Sequence, residues 1–415
     1  VKVSSAPPAA AAAPTAPPVA ARGIDDRVVI VGAGPAGMAT AIELAQQGVR
    51  SVVLEKRGPV ATREPLFAVV PPFADRLAAL DPDGSLTSLL TPIERMDSRH
   101  GASGSTSSRT FDGPLEPDPT RSRGDIGALV RAADLPGRPD ADRRRWSFAG
   151  IDAVDNALRE LARTKHADLI ELRTDSGVDS IRQGDGWAEA VLAPGPDGAA
   201  RDAVRGAMLV DASGRDLLGS SRTTYPERGY WLGGRYPARA DGPFATSRVR
   251  EGDGPERRSS IVLPARDRTL VWTQVHEDPT KIDPARARQL VQSAAQTVGV
   301  TDQLAADART MPVTVQLWTS DEPARGRVLK VGDSVRAPYF MTSTGAAAAL
   351  VHDAPRAVDA ILAVRAGTPV EQASAAYADA VRGANAQLVE VVRPRLLSDL
   401  GISRADAGVP VSGPR

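Results

Sequence analysis

Three short stretches of this 415-residue chain carry residue types and spacings that could do chemistry. In the first, Gly32, Gly34 and Gly37 form G-x-G-x-x-G directly after the β-branched run at residues 28–31, and open a helical pattern over residues 38–47. Gly32 suits a tight turn, Gly34 lets backbone approach a pyrophosphate, and Gly37 lets helix and strand pack closely. The helix then turns its free N–H groups and positive end toward phosphate. Gly48 suits the helix end, residues 51–54 make a second strand, and Glu55 stands where a carboxylate accepts hydrogen bonds from ribose hydroxyls. A glycine-rich turn without a ligand would not explain Glu55. The order of strand, glycines, helix, strand and acid points to a dinucleotide, with Ala33, Pro35, Ala36 and Lys56 beside it.

The second stretch is Asp211-Ala-Ser-Gly-Arg215, an acid and a glycine at the end of the strand pattern of residues 207–210. Ligands of open α/β sheets bind at such carboxyl ends. The third begins with a buried-strand pattern over residues 328–331. Gly332 and Asp333 follow it, and after a proline turn a small-residue run, Gly345, Ala346 and three further alanines, enters a helix. Arg63, in the loop after the second strand, is placed to reach flavin, phosphate or a reductant, or to stand in solvent.

Composition narrows the chemistry. Lys+Arg and Asp+Glu both number 51, so no net field favours nucleic acid or an anionic membrane. The chain has no cysteine, which excludes disulfides, thiolate nucleophiles and Cys-ligated metal, and leaves electron chemistry to a cofactor. The four histidines, His100, His166, His276 and His352, lack metal-ligand spacing and are read as surface or packing residues. Residues 4–20 are a Pro/Ala-rich low-complexity tail without the basic and apolar regions of a signal peptide, so disorder is expected there. No run approaches about 18 apolar residues, which predicts a soluble, cytoplasmic protein. The Arg/Ala/Pro/Gly bias is that of a high-GC bacterial genome.

The positioning elements read as α/β, or α+β overall. Helical patterns are expected at 72–80, 150–165, 284–298, 352–367 and 371–392. Strand fragments at 93–99 and 107–111 flank a Ser/Arg/Gly-rich region, and residues 134–145, with Arg143, Arg144 and Arg145, read as a loop. Residues 178–181, 187–192 and 203–210 resemble a β-meander, and residues 259–263 and 269–275 are strands joined by a turn. Aromatic residues cluster between 223 and 312, and an antiparallel sheet there with one aromatic face would floor an apolar pocket. Tyr230, Trp231 and Trp272 are its candidate walls.

Taken together, the three motifs resemble the FAD-dependent monooxygenase family of the aromatic-hydroxylase type, related to flavin halogenases and geranylgeranyl reductases. The resemblance covers residues 27–366. It implies a Rossmann-like FAD-binding domain from residues 24–92, 146–222 and 318–366, and an antiparallel-sheet substrate domain from 93–145 and 223–317. A tail at 1–23 and closing helices with a polar tail at 367–415 complete the chain. On this reading Gly32–Gly37 and Glu55 hold the ADP half, Asp211 and Arg215 lie in the middle segment, and Asp333 binds a ribityl hydroxyl. The N–H groups near Gly345 face the negative end of a reduced isoalloxazine. This chain departs from the family at Ile151, where an arginine is usual, and at Arg336, where Gly-Asp-Ala-Ala-His becomes Gly-Asp-Ser-Val-Arg.

The implied activity is NAD(P)H-dependent hydroxylation or epoxidation of an apolar or aromatic small molecule with O2, in secondary metabolism such as antibiotic biosynthesis. No catalytic side chain is named and no metal is expected. A non-redox cyclase or isomerase retaining FAD, and a flavin-dependent dehydrogenase or reductase, are the competing expectations. Oligomeric state is left open.

Overall fold

The computed structural model describes residues 26–413, apart from 101–104, 112, 114–115, 134–145, 196–197, 239–243, 253–257, 305–307, 338 and 343. The Pro/Ala tail and the loop at 134–145 lie outside the described residues.

Val28–Val31 sits in the middle of a six-stranded sheet. On one side it pairs in parallel with Ser51–Leu54, which pairs in turn with Ile170–Arg173. On the other it pairs in parallel with Met208–Asp211, followed by Val328–Lys330 and the short antiparallel edge Ala324–Arg325. Successive side chains of a strand face opposite ways, so each β-branched run feeds two cores. Val29, Val31, Val52 and Leu54 pack against Ala188, Ala190 and Val204 of a three-stranded meander. Val28, Ile30, Val53 and Val210 pack on the other face with Met38, Ile42, Val154 and Val358 from the helices Pro35–Gln46, Ile151–Lys165 and Ala354–Arg365. Each fully buried valine or leucine contributes about 1.5–3 kcal/mol, which holds the strand ends in register.

The meander differs from expectation at its last strand. Residues 203–210 divide at Ala207: Val204–Gly206 completes the meander, and Met208–Asp211 belongs to the parallel sheet. Gly206 allows the crossing, because a Cβ there would stand 2.4 Å from the Arg27 carbonyl oxygen.

The second large sheet runs through Arg336–Ala337, Met311–Ser320, Arg222–Tyr236, Thr269–Val275, Arg258–Pro264, Ala245–Glu251, Arg95–His100 and Ser105–Thr110. It is antiparallel except where Ala245–Glu251 meets Arg95–His100 in parallel. The helix Pro284–Thr297 covers one face, capped by Asp283, whose carboxylate accepts the N–H groups of Ala285 and Arg286. The opposite face carries Trp231, Trp272, Ile261 and Leu270.

Two features of the C-terminal part depart from the sequence reading. The last helix runs from Val370 to Leu400, through Pro394, and stops at Gly401 in a left-handed conformation with φ 68°. Val411–Gly413 in the polar tail is a strand on Arg222–Thr224. Among the described residues no helix is long and apolar enough to cross a membrane, and no cluster of three His, Asp or Glu side chains could hold a metal.

Candidate functional site

The carboxyl ends of the parallel strands open into one cavity of about 800 Å³ that continues to the second sheet. At its floor is the glycine turn. Gly32 has φ 106°, and a Cβ on it would lie 2.5 Å from the Ala212 carbonyl oxygen, so only glycine fits. Gly37 packs on the same turn, where a Cβ would lie 2.0 Å from the Gly32 carbonyl oxygen. Gly34 is different: among the described residues nothing lies within 4 Å of its Cβ position, and it lines the cavity with Gly32, Pro35 and Ala36. The helix starts at Pro35, three residues before the periodic pattern, because proline suits the first helical turn.

Glu55 also lines the cavity, and its side chain is tied to the turn. Its Oε2 accepts the Ala33 N–H and its Oε1 accepts the Arg57 N–H, both at 2.9 Å. Ala33 is itself buried behind the wall. Arg159, from the helix after Gly150, donates to the carbonyls of Ala33, Gly58 and Pro59 and stands 3.7 Å from Glu55 Oε2. Arg159, one helical turn beyond Asp155, carries no motif spacing and gives no signal in the sequence. Lys56, Arg57, Arg63 and Arg215 bring positive charge to the cavity wall. Burial lowers the Lys56 pKa, and the charges of Arg215 and Arg57 add to the effect.

Asp211 does not line the cavity. It is buried, and its Oδ1 accepts the Ser213 N–H at 3.0 Å and the Ser334 hydroxyl at 3.2 Å, while its Oδ2 accepts the Leu217 N–H at 3.2 Å. Burial raises its pKa against these hydrogen bonds. It therefore shapes the loop whose Ala212, Ser213, Gly214 and Arg215 reach the cavity. A carboxylate followed two residues on by serine is a usual local turn-former, and here that function takes the acid.

Gly332 and Asp333 follow the strand Val328–Lys330 and line the cavity, as do Gly345 and Ala346. Asp333 is exposed within the cavity, yet protein crowds around its carboxyl, and the resulting desolvation raises its pKa, opposed by Arg63 and Arg336. Arg63 acts in the same way on Asp155, which is fully buried with its Oδ1 unpartnered among the described residues. Desolvation pushes the Asp155 pKa up to about 6 in spite of Arg63 and Arg159.

The far end of the cavity is apolar. Met96, Ile261, Leu263 and Trp272 come from the second sheet, Leu66, Phe67 and Phe148 from a small sheet beneath it, and Trp318, Phe340 and Met341 close the side. Thr246 is the polar exception, and its hydroxyl is used on the Val262 carbonyl at 2.6 Å. Ile151, the first residue of the helix Ile151–Lys165, also lines the cavity. Of the three candidate aromatic walls, Trp272 lines the cavity. Trp231 is fully buried behind it, its ring edge-on to Phe340 at 5.7 Å. Tyr230, the next residue on the strand, packs with the core under the helix Pro284–Thr297. Adjacent strand residues face opposite sides, so Tyr230 and Trp231 could not share a wall.

Residues 25–64 match the model of an FAD binding domain family. Solved structures resemble nearly the whole chain. p-Nitrophenol 4-monooxygenase PnpA from Pseudomonas putida is 20% identical, with 92% of this chain and 99% of that one covered and a TM-score of 0.63. PqsL from Pseudomonas aeruginosa, solved with 2-aminobenzoylacetate, is 17% identical over 91% of this chain and 96% of its own, with a TM-score of 0.67. The chain shares the fold of these two proteins. Aklavinone-11 hydroxylase, solved with FAD and aklavinone, shares that fold at 21% identity, covering 90% of this chain and 70% of its own, with a TM-score of 0.62. The hydrogen cyanide synthase subunit HcnB of Pseudomonas protegens is 40% identical over 95 residues, and the chain spans about 20% of its length.

Proposed function

We propose that the protein is an FAD-dependent monooxygenase that uses NAD(P)H and O2 to hydroxylate or epoxidise an apolar or aromatic small molecule of bacterial secondary metabolism. One observation carries the reading: a single cavity joins the glycine turn, Glu55 and Asp333 to Phe67, Phe148, Ile261, Trp272 and Phe340. Resemblance to enzymes solved with aklavinone and 2-aminobenzoylacetate supports it.

The residues suit FAD. The open face at Gly34 and the start of the helix at Pro35 accommodate a diphosphate. Glu55 keeps further lone pairs for ribose hydroxyls beyond the two N–H groups it accepts. Asp333 would offer a carboxylate to a ribityl hydroxyl, and the N–H groups near Gly345 would face an isoalloxazine, both residues lining the cavity. Bound FAD supplies the activation of O2. Trp272 and Phe340 orient a flat substrate by ring contact and Ile261 by aliphatic packing, and the apolar wall keeps water away from the reacting centre.

Anaerobic addition of NADPH or NADH to the FAD-loaded protein with a candidate aromatic substrate present, followed by air and product analysis, tests the proposal. Bleaching, recovery and one oxygen atom incorporated from 18O2 are expected. Product formation without oxygen would transfer the chain to the dehydrogenases or reductases. Turnover by a flavin that resists reduction would favour the non-redox cyclase or isomerase reading, which the apolar Ile151 at the cavity wall supports.

A further inference from the structure

Arg336 is buried one residue beyond the turn that presents Asp333, and it is fully engaged. Its Nη1 donates to Asp353 Oδ2 at 2.6 Å, its Nη2 to Asp353 Oδ1 at 2.8 Å, and its Nε to Asn385 Oδ1 at 2.5 Å. The same Asp353 Oδ2 accepts the backbone N–H of Gly332 at 3.2 Å. Three pieces of the fold therefore meet at one guanidinium. Asp353 ends a π-helical turn, Ala349–Asp353, a wide turn that often marks a functional place. Asn385 belongs to the last helix, and the Arg336–Ala337 segment pairs with Trp318 and Thr319 at the edge of the second sheet. Gly332 has φ 63°, and a Cβ on it would lie 3.0 Å from Ala36 Cβ, so the turn is held against the first helix with little freedom.

The charge balance supports this. Burial pushes the Asp353 carboxyl up, but Arg336 and His352 outweigh it and hold the pKa below the ordinary range. A buried pair of this kind adds little net stability compared with apolar residues, and its attested use is to fix one arrangement among several.

We propose that Arg336 is a positioning residue for the flavin half of the site: through Asp353 it holds the Gly332 N–H and so fixes the turn that presents Asp333 to the cavity. The inference rests on the FAD reading above and adds that the site has two separately adjustable halves. The glycine turn and Glu55 hold ADP without Arg336. FAD needs both.

The test compares the affinities of the purified apoprotein for FAD and for ADP, by flavin fluorescence and calorimetry, in R336K and N385A. Lysine keeps the charge and loses the two-pronged geometry. N385A removes only the acceptor of Nε, which keeps the test available if R336K does not fold. R336K is expected to weaken FAD at least tenfold and N385A several-fold, both with ADP affinity within twofold of wild type, and D333A should share this pattern. Unchanged FAD affinity in both variants would overturn the proposal. So would a parallel fall for FAD and ADP, which is the mark of a merely structural role. Wild-type protein that takes ADP and refuses FAD would instead overturn the FAD reading, and the positioning role with it.

Discussion

Glu55 Oε2 accepts the backbone N–H of Ala33 at 2.9 Å, so the acid that ends the second strand is bonded to the middle of the glycine turn. The two places where the sequence carries its dinucleotide signal are thus one unit. An amide at position 55 would offer its NH2 group to one of the two backbone N–H donors. E55Q should lower FAD affinity at least tenfold and lower the unfolding midpoint by several degrees, measured by fluorescence titration and thermal denaturation. Unchanged values in both would take Glu55 out of the site.

The three glycines separate folding from binding. Gly34 has φ −78° and open space at its Cβ position, so alanine fits the protein itself. Gly37 has no such room. G34A should keep the wild-type unfolding midpoint and lose FAD affinity, because the methyl group occupies space the ligand needs. G37A should lose both, with stability falling by about 2 kcal/mol or more, as for strained core overpacking. Equal FAD affinity in G34A and wild type would place the diphosphate elsewhere.

Asp333 should make cofactor affinity depend on pH. Its pKa in the free site is raised by desolvation, and the ionised form is the better acceptor for a hydroxyl donor. FAD affinity should therefore rise with pH through a step lying above the usual carboxylate value of about 4. D333N should bind more weakly and lose that step. A D333N profile that retains it would assign the titration to another group.

Asp155 should act on stability with the opposite trend from a salt-bridged acid. Its folded pKa of about 6 exceeds the unfolded value of about 3.9, so the native state binds the extra proton. The stabilising contribution is complete below the unfolded pKa and is lost as pH rises through about 6. D155N should be more stable than wild type at pH 7, by an amount on the order of 2 kcal/mol, and the two should converge near pH 4. Denaturant titrations at pH 4, 5.5 and 7 check this; a constant difference across that range would refute it.

How legible the site was in the sequence varied with how local each part is. The turn at Gly32–Gly37, the acid at Glu55 and the Gly332–Asp333 segment were legible because each is set by a few consecutive residues, and Gly32, Gly34, Glu55, Gly332 and Asp333 line the same cavity. Asp211 was legible as an acid at a strand end, but that its carboxylate is taken up by Ser213, Leu217 and Ser334 was not, since a carboxylate that caps its own loop and one that meets a ligand look alike in a linear chain. Arg159 and Asp155 carried no signal at all. Their importance comes from tertiary packing, with Arg159 reaching the end of the first strand 126 positions away in sequence.

The second sheet shows the same boundary. Its strands at residues 259–263 and 269–275 were readable from alternation and turn residues, yet alternation does not say which face meets the cavity. That choice needs the register, Trp231 opposite Gln274 and Gly233 opposite Trp272, together with the helix that covers the reverse face.

By itself, then, the sequence determined the α/β class, the dinucleotide turn and the aromatic second sheet, because these follow from backbone preference, glycine geometry and periodicity over short spans. Tertiary structure alone decided that one cavity runs from Gly34 to Trp272, that Tyr230 faces away from it, and that Arg336 is spent on Asp353. Those facts depend on contacts between distant segments, where burial and geometry, not residue type, select the partner.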